Sequence, residues 1–208
     1  MNNYLYFLEG KPYINLTNNC TNSCVFCVRD IKDDVVGLNL WLSSITKAEN
    51  VIAQFDTEAD KKLFQVNEIT FCGYGEPLLC PDVLIEVSKF IKEKYPHLKI
   101  RINTNGTASK ALKRDILPEL VGLVDVISIS LNGHDSATYD AVSKPKAENS
   151  YDAVLASIKQ SAELGFKTIA TIVTGFDNAP YIDIQKCEEI ANSLGAEFRN
   201  RAWIKEGY

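Results

Sequence analysis

Apolar and polar positions along the chain switch repeatedly between the alternation of strands and the three-to-four spacing of helices. Tyr13-Ile14-Asn15-Leu16 is a short β-type run. Thr46-Lys47-Ala48-Glu49 reads as a capping box, and Ala48, Val51, Ile52 and Phe55 follow at helical spacing. Residues 66–72 predict a second strand, ended by Gly73. Pro81 suits the first turn of a helix whose Val83, Leu84, Val87, Phe90 and Ile91 share one face. Residues 98–103 predict a third strand closed by Asn105-Gly106, followed by a helix over 109–120. Residues 124–131 predict a fourth strand closed by Asn132-Gly133. A helix over 151–164 carries Val154, Leu155, Ile158 and Ala162 on one side and stops at Gly165. A fifth strand over 166–173, a helix over 180–194 and a sixth strand over 196–203 complete the pattern.

Six strands, the first five each followed by a helix or a long crossover, predict an α/β fold with a parallel sheet and right-handed connections. A closed eight-unit barrel takes about 250 residues. The 208 residues fit a partial (β/α)6 TIM-like barrel, read as a single domain over 1–208. No linker, repeat or low-complexity stretch interrupts it. Residues 28–43 have little periodicity and are the candidate lid.

Composition narrows the function classes. The chain has 46% apolar residues, 24% charged residues and a net charge of −5, without a basic run, so no nucleic-acid surface is expected. No apolar run approaches the ~20 residues of a membrane span. The first ten residues lack the basic start and long apolar stretch of a signal peptide, and a cytoplasmic protein is expected. The six cysteines are Cys20, Cys24, Cys27, Cys72, Cys80 and Cys187, and in that compartment clustering points to metal or redox chemistry.

Cys20-x-x-x-Cys24-x-x-Cys27 follows the first strand directly. Three thiolates within eight residues supply three ligands, whereas most [4Fe-4S] cubanes take four, which leaves one iron open. Spacing alone leaves other readings. A structural zinc site wants four Cys or His ligands, and His97 and His134 lie far away on predicted loops. An electron-transfer or sensing cluster would recruit Cys72 or Cys80. A set of buried structural cysteines would need no metal, although the TNNCTNSC context is polar. Further along, Gly73-Tyr74-Gly75-Glu76-Pro77 closes strand two, Asn103-Thr104-Asn105-Gly106 strand three and Ser130-Leu131-Asn132-Gly133 strand four. All sit at carboxyl ends, where parallel barrels keep their active sites.

The cysteine spacing, with Phe26 before the third cysteine, resembles the signature of the radical S-adenosylmethionine (radical SAM) superfamily. The segment 73–77 is similar to that superfamily's Gly-Gly-Glu-Pro motif. More narrowly, Leu16-Thr17, Cys27-Val28-Arg29, Gly37-Leu38-Asn39-Leu40-Trp41-Leu42 and Phe71-Cys72 with the motif after it resemble the small TatD-associated radical SAM proteins. The resemblance implies a [4Fe-4S] cluster on Cys20, Cys24 and Cys27 and S-adenosylmethionine on the open iron. The cofactor would be cleaved reductively to a 5′-deoxyadenosyl radical that takes a hydrogen atom from a substrate. Phe26 and Val28 would lie near the adenosyl part, and Gly73, Tyr74, Gly75 and Glu76 near the methionine, with Glu76 positioning rather than accepting protons. Asn103, Asn105 and Ser130 would bind the cofactor as well. A low-potential donor such as flavodoxin or ferredoxin is implied.

The substrate, a small molecule or a peptide or protein, is less legible. Arg29 beside the cysteines, Lys144 and Lys146 after strand four, Thr174 after strand five, and Arg199 and Arg201 on the last strand are the candidate contacts. The cations among them suit a carboxylate or phosphate. Within the superfamily, resemblance also extends to 7-carboxy-7-deazaguanine synthase and to glycyl-radical activating enzymes.

Overall fold

The computed structural model describes residues 2–30, 34–35 and 37–204. The chain starts with a hairpin, β1 (Leu5–Leu8) and β2 (Lys11–Ile14), joined by Glu9 and Gly10. Both turn residues have positive φ, 49° and 76°, as a tight two-residue hairpin requires. β3 (Glu68–Phe71), β4 (Lys99–Thr104), β5 (Val126–Ser130), β6 (Lys167–Thr174) and β7 (Glu197–Ala202) follow. They form one seven-stranded sheet in sequence order. β1 is antiparallel to β2 and all other neighbours are parallel.

The sheet curls without closing, a partial barrel with β1 and β7 at its edges. Its outer face is apolar: Ile102 pairs with Ile127, and Ile129 with Ala170. Against that face pack Leu84, Val87 and Ile91 of α3 (Pro81–Lys94), Val154 and Ile158 of α6 (Ser150–Glu163), and Cys187 of α7 (Ile184–Ser193), all fully buried. Each such aliphatic side chain contributes about 1.5–3 kcal/mol. The inner face is polar. Tyr6, Tyr13, Thr70, Arg101, Ser128, Thr171 and Arg199, one from each strand, line a cavity of about 800 Å³. Parallel sheets are usually covered by apolar packing on both faces. The strict alternation of Val126-Ile127-Ser128-Ile129-Ser130 instead reserves one face for a polar lumen.

The predicted parallel strands are all present, trimmed by one or two residues at most ends, and Pro81 does open α3. Four local expectations are corrected. A first strand, β1, precedes the run at Tyr13. The capping box does not form: Lys47 is the N-cap of α1 (Ala48–Ile52), and Thr46 Oγ1 donates to the Leu16 carbonyl at 2.5 Å instead. The helix expected over 109–120 breaks after α4 (Ala108–Leu112), where Lys113 turns left-handed with φ 51°; a short 3₁₀ turn follows over Leu117–Leu120. The helix expected from 180 starts at Ile184, after the Asp183 cap. Two helices were not foreseen, α2 (Thr57–Leu63) and α5 (Ser136–Ser143). Much of the candidate lid is described, but residues 31–33 and 36 lie outside the described residues. No described helix is long and apolar enough to cross a membrane.

The two faces predict different costs on one strand. Ile127→Ala should lower the unfolding free energy by about 2–5 kcal/mol, and Ser128→Ala by no more than about 1 kcal/mol. Urea denaturation of both variants checks this; equal losses would contradict a lumen on the Ser128 side.

Candidate active site

The cysteine loop leaves β2 and is clamped along its length by the connection between α5 and α6. Ser23 N–H donates to the carbonyls of Ser143 and Lys144, each at 3.1 Å, and Val25 N–H to Val142 at 3.0 Å. Lys146 N–H donates to Thr21 at 2.9 Å. Lys146 Nζ also holds the carbonyl of Cys20 at 2.8 Å. Within the loop, Cys27 N–H donates to the Cys24 carbonyl at 3.0 Å, turning the two side chains toward a common side.

Cys20 Sγ accepts from Asn22 N–H at 3.5 Å and from Asn105 Nδ2 at 3.6 Å. Ser143 beside Cys24 and the backbone of Arg29 beside Cys27 favour those thiolates. Burial pushes all three thiols up, Cys24 to about 12, and the Cys24 thiol is pushed further by Cys27 and Cys20. Hydrogen bonds stabilise the thiolates while burial and mutual repulsion oppose them, and a bound cationic centre would hold the sulfurs deprotonated. Among the described residues no three Cys, His, Asp or Glu side chains gather tightly enough for a single ion.

The loop after β3 closes over this segment. A Cβ at Gly75 would overlap the carbonyls of Thr17 and Asn19, so only glycine lets the two loops approach this closely. Glu76 N–H donates to the Asn19 carbonyl at 2.8 Å. Its buried carboxylate accepts from Leu78 N–H at 3.0 Å, Thr104 Oγ1 at 2.7 Å and Asn105 N–H at 2.7 Å. Asn105 in turn donates to Thr21 Oγ1 at 2.7 Å. Burial pushes Glu76 up to about 6, against the pull of its three donors. Its ties are to two backbone amides and a hydroxyl, which is a positioning role.

Phe26, Val28, Gly73, Tyr74, Asn103, Arg199 and Arg201 all line the lumen; Gly75, Glu76, Asn105, Ser130, Arg29, Lys144 and Thr174 are not among its lining residues. Arg29 donates from Nη1 to the carbonyls of Asn18 at 3.1 Å and Tyr74 at 3.2 Å, bracing the two loops. Lys144 caps α5 with a φ of 42° and faces solvent. Thr174 Oγ1 donates to Asn200 at 2.8 Å, tying β6 to β7. Phe26 packs against Phe176 with the ring centroids 5.3 Å apart and the planes tilted by 48°. Sequence reasoning missed Ser143 and the lumen residues Tyr6, Thr70, Arg101, Ser128 and Thr171. The alternation in β4 and β5 was the signal for the inner face; nothing local marks Ser143, which acts across the fold.

A family model described as the radical SAM superfamily matches residues 14–189. An uncharacterized protein of Methanocaldococcus jannaschii, MJ0804, is 25% identical over 180 residues, covering 86% of this chain and 53% of that protein. Among solved structures, Streptococcus suis SuiB bound to precursor peptide SuiA superposes with a TM-score of 0.68 at 16% identity, over 93% of this chain and 39% of that one. Native anSMEcpe with bound AdoMet gives 0.64 at 15%, over 92% and 50%. Methylornithine synthase (PylB) gives 0.57 at 14%, over 92% and 52%. The chain spans about half the length of these proteins, or less.

Glu76 sets a pH dependence with a definite sign. Its ordinary value is 4.5 and its folded value about 6, so the folded chain holds this proton more tightly than the unfolded one. The stability this confers is complete below pH 4.5 and is lost as pH rises through about 6. Between pH 4.5 and 7 the wild type should therefore lose about 2 kcal/mol relative to Glu76→Gln, which does not titrate. Urea unfolding of the metal-free proteins at both pH values checks it; parallel pH profiles would contradict it.

Proposed function

The chain belongs to the radical SAM superfamily, whose members use a [4Fe-4S] cluster and S-adenosylmethionine, and we propose that here Cys20, Cys24 and Cys27 are the cluster ligands. The carrying observation is the convergence of three loops at one mouth of a polar lumen. The cysteine loop is held by Glu76 and Asn105 to the loops after β3 and β4.

When bound, the cluster supplies the electron that splits S-adenosylmethionine into methionine and a 5′-deoxyadenosyl radical, which takes a hydrogen atom from the substrate. The chain's own residues position and enclose that event. Asn22, Asn105, Ser143 and the Arg29 amide hold the sulfurs as thiolates. Gly73 and Tyr74 border the lumen beside the cysteine loop and present backbone to the methionine end. Phe26, Val28 and Asn103 line the lumen and would contact the nucleoside. Ser130, at the end of β5 but not among the lumen-lining residues, would be a further cofactor contact. The lumen holds the substrate away from bulk water.

This reading treats the 208 residues as one catalytic core and takes the TatD-associated group as the subfamily. A flavodoxin or ferredoxin serves as donor. SuiB and anSMEcpe were each crystallised with a peptide, and an open-sided barrel suits a peptide as well as a small molecule. The electron-carrier alternative would need Cys72 as a fourth ligand. Burial pushes the Cys72 thiol up; Asn103, Arg201, Glu76 and the Gly73 backbone are the neighbours that modify it, and none of the three loop cysteines is among them.

Anaerobic reconstitution with iron and sulfide, followed by dithionite and S-adenosylmethionine, should yield 5′-deoxyadenosine by mass spectrometry. Cys24→Ala should yield none, and Cys72→Ala should retain a full cluster. Product from Cys24→Ala, or cluster loss confined to Cys72→Ala, would overturn the ligand assignment.

A further inference from the structure

The lumen carries an unbalanced charge. Its charged side chains are Lys11, Glu68, Arg101, Arg199 and Arg201. Glu68 and Arg101 form a two-pronged pair, Nε to Oε1 at 2.7 Å and Nη2 to Oε2 at 3.1 Å, and neutralise each other. The other three cations, all solvent-exposed, have no ion-pair partner among the described residues, in a chain whose net charge is −5. Two of them are adjacent: Arg199 and Arg201 stand two residues apart on β7, on one face, with Cα atoms roughly 7 Å apart. Neither guanidinium forms a hydrogen bond or ion pair with a described residue. Burial pushes the Cys72 thiol, just after β3, up, and the charge of Arg201 opposes that rise. The opposite-parity side chains of the same strand are used up elsewhere, Phe198 on the outer core and Asn200 on Thr174. Across the lumen the wall is aromatic, with Tyr6 stacked on Tyr13 at 5.4 Å.

Two guanidinium forks at this spacing, without a partner among the described residues, match the oxygens of a carboxylate or phosphate. We propose that Arg199 and Arg201 form an oxyanion clamp and that the substrate admitted to the lumen carries a carboxylate or phosphate group. The inference rests on the reading of the lumen as the substrate chamber. The cavity, about 800 Å³, falls in the size range of small-molecule pockets, about 300–1,000 Å³. The nucleoside shares it, so the substrate is a small anion or one acidic or phosphorylated residue of a peptide, with its apolar part against the tyrosines.

The test is calorimetric and needs no turnover. Anaerobically reconstituted protein with an unreduced cluster is saturated with S-adenosylmethionine in low-salt buffer, then titrated with inorganic phosphate in one arm and glutarate in the other. At least one anion should bind, and the tighter arm identifies phosphate or carboxylate as the source. Arg199→Gln and Arg201→Gln should each weaken it about tenfold or more. Both positions are exposed, so melting temperatures should stay unchanged; Arg→Lys variants should fall between. The clamp is overturned if neither anion binds, if binding survives in the double Gln variant, or if S-adenosylmethionine displaces the anion, which would assign the arginines to the cofactor carboxylate. Failure to take up S-adenosylmethionine would sink the reading of the previous subsection instead, and the anion titration would then be read on the cofactor-free protein.

Discussion

Loops that leave different strands have to hold one another in register for a barrel mouth to work, and here they meet on the buried carboxylate of Glu76. Its amide binds the loop before Cys20, and its oxygens bind the start of the following 3₁₀ turn and the end of β4. A carboxylate at this place costs desolvation, visible in its rise to about 6. Three donors offset part of that cost, and removing one partner of such a set leaves buried amides without acceptors. Asn105 extends the tie to Cys20 itself. The geometry of the sulfurs therefore depends on a residue that never touches them.

The second constraint is the division of the sheet into two chemistries. The outer face is built from isoleucine, valine and leucine against helices, which supplies the stability. The inner face is relieved of that task and carries hydroxyls, amides and charges. Because strand side chains alternate, both faces are written into the same few residues. The clustering of cations on the last strand then follows without cost to the core: β7 is an edge, and its inner face opens on the lumen.

The segments that carry chemistry were legible because their spacing is local. The cysteine triplet, the Gly73–Pro77 segment and the parallel strands each stand in a handful of contiguous residues. Contacts between segments were not legible. Thr46 and Glu49 have the spacing of a capping box, yet Thr46 bonds to Leu16, thirty residues away. Lys146 and Ser143 hold the cysteine loop from a connection over a hundred residues downstream. Arg29, expected near substrate, spends its guanidinium on two carbonyls. β1 lacks alternation, and its turn announces itself only through the positive φ of Glu9 and Gly10.

The most direct measurement is the EPR spectrum of the reduced, reconstituted protein with and without S-adenosylmethionine. Three cysteine ligands leave one iron open, so the cofactor should bind there and change the spectrum. An unchanged spectrum from a protein with a full cluster would mean that a fourth protein ligand closes the site, and would contradict the assignment of Cys20, Cys24 and Cys27 as the complete protein ligand set.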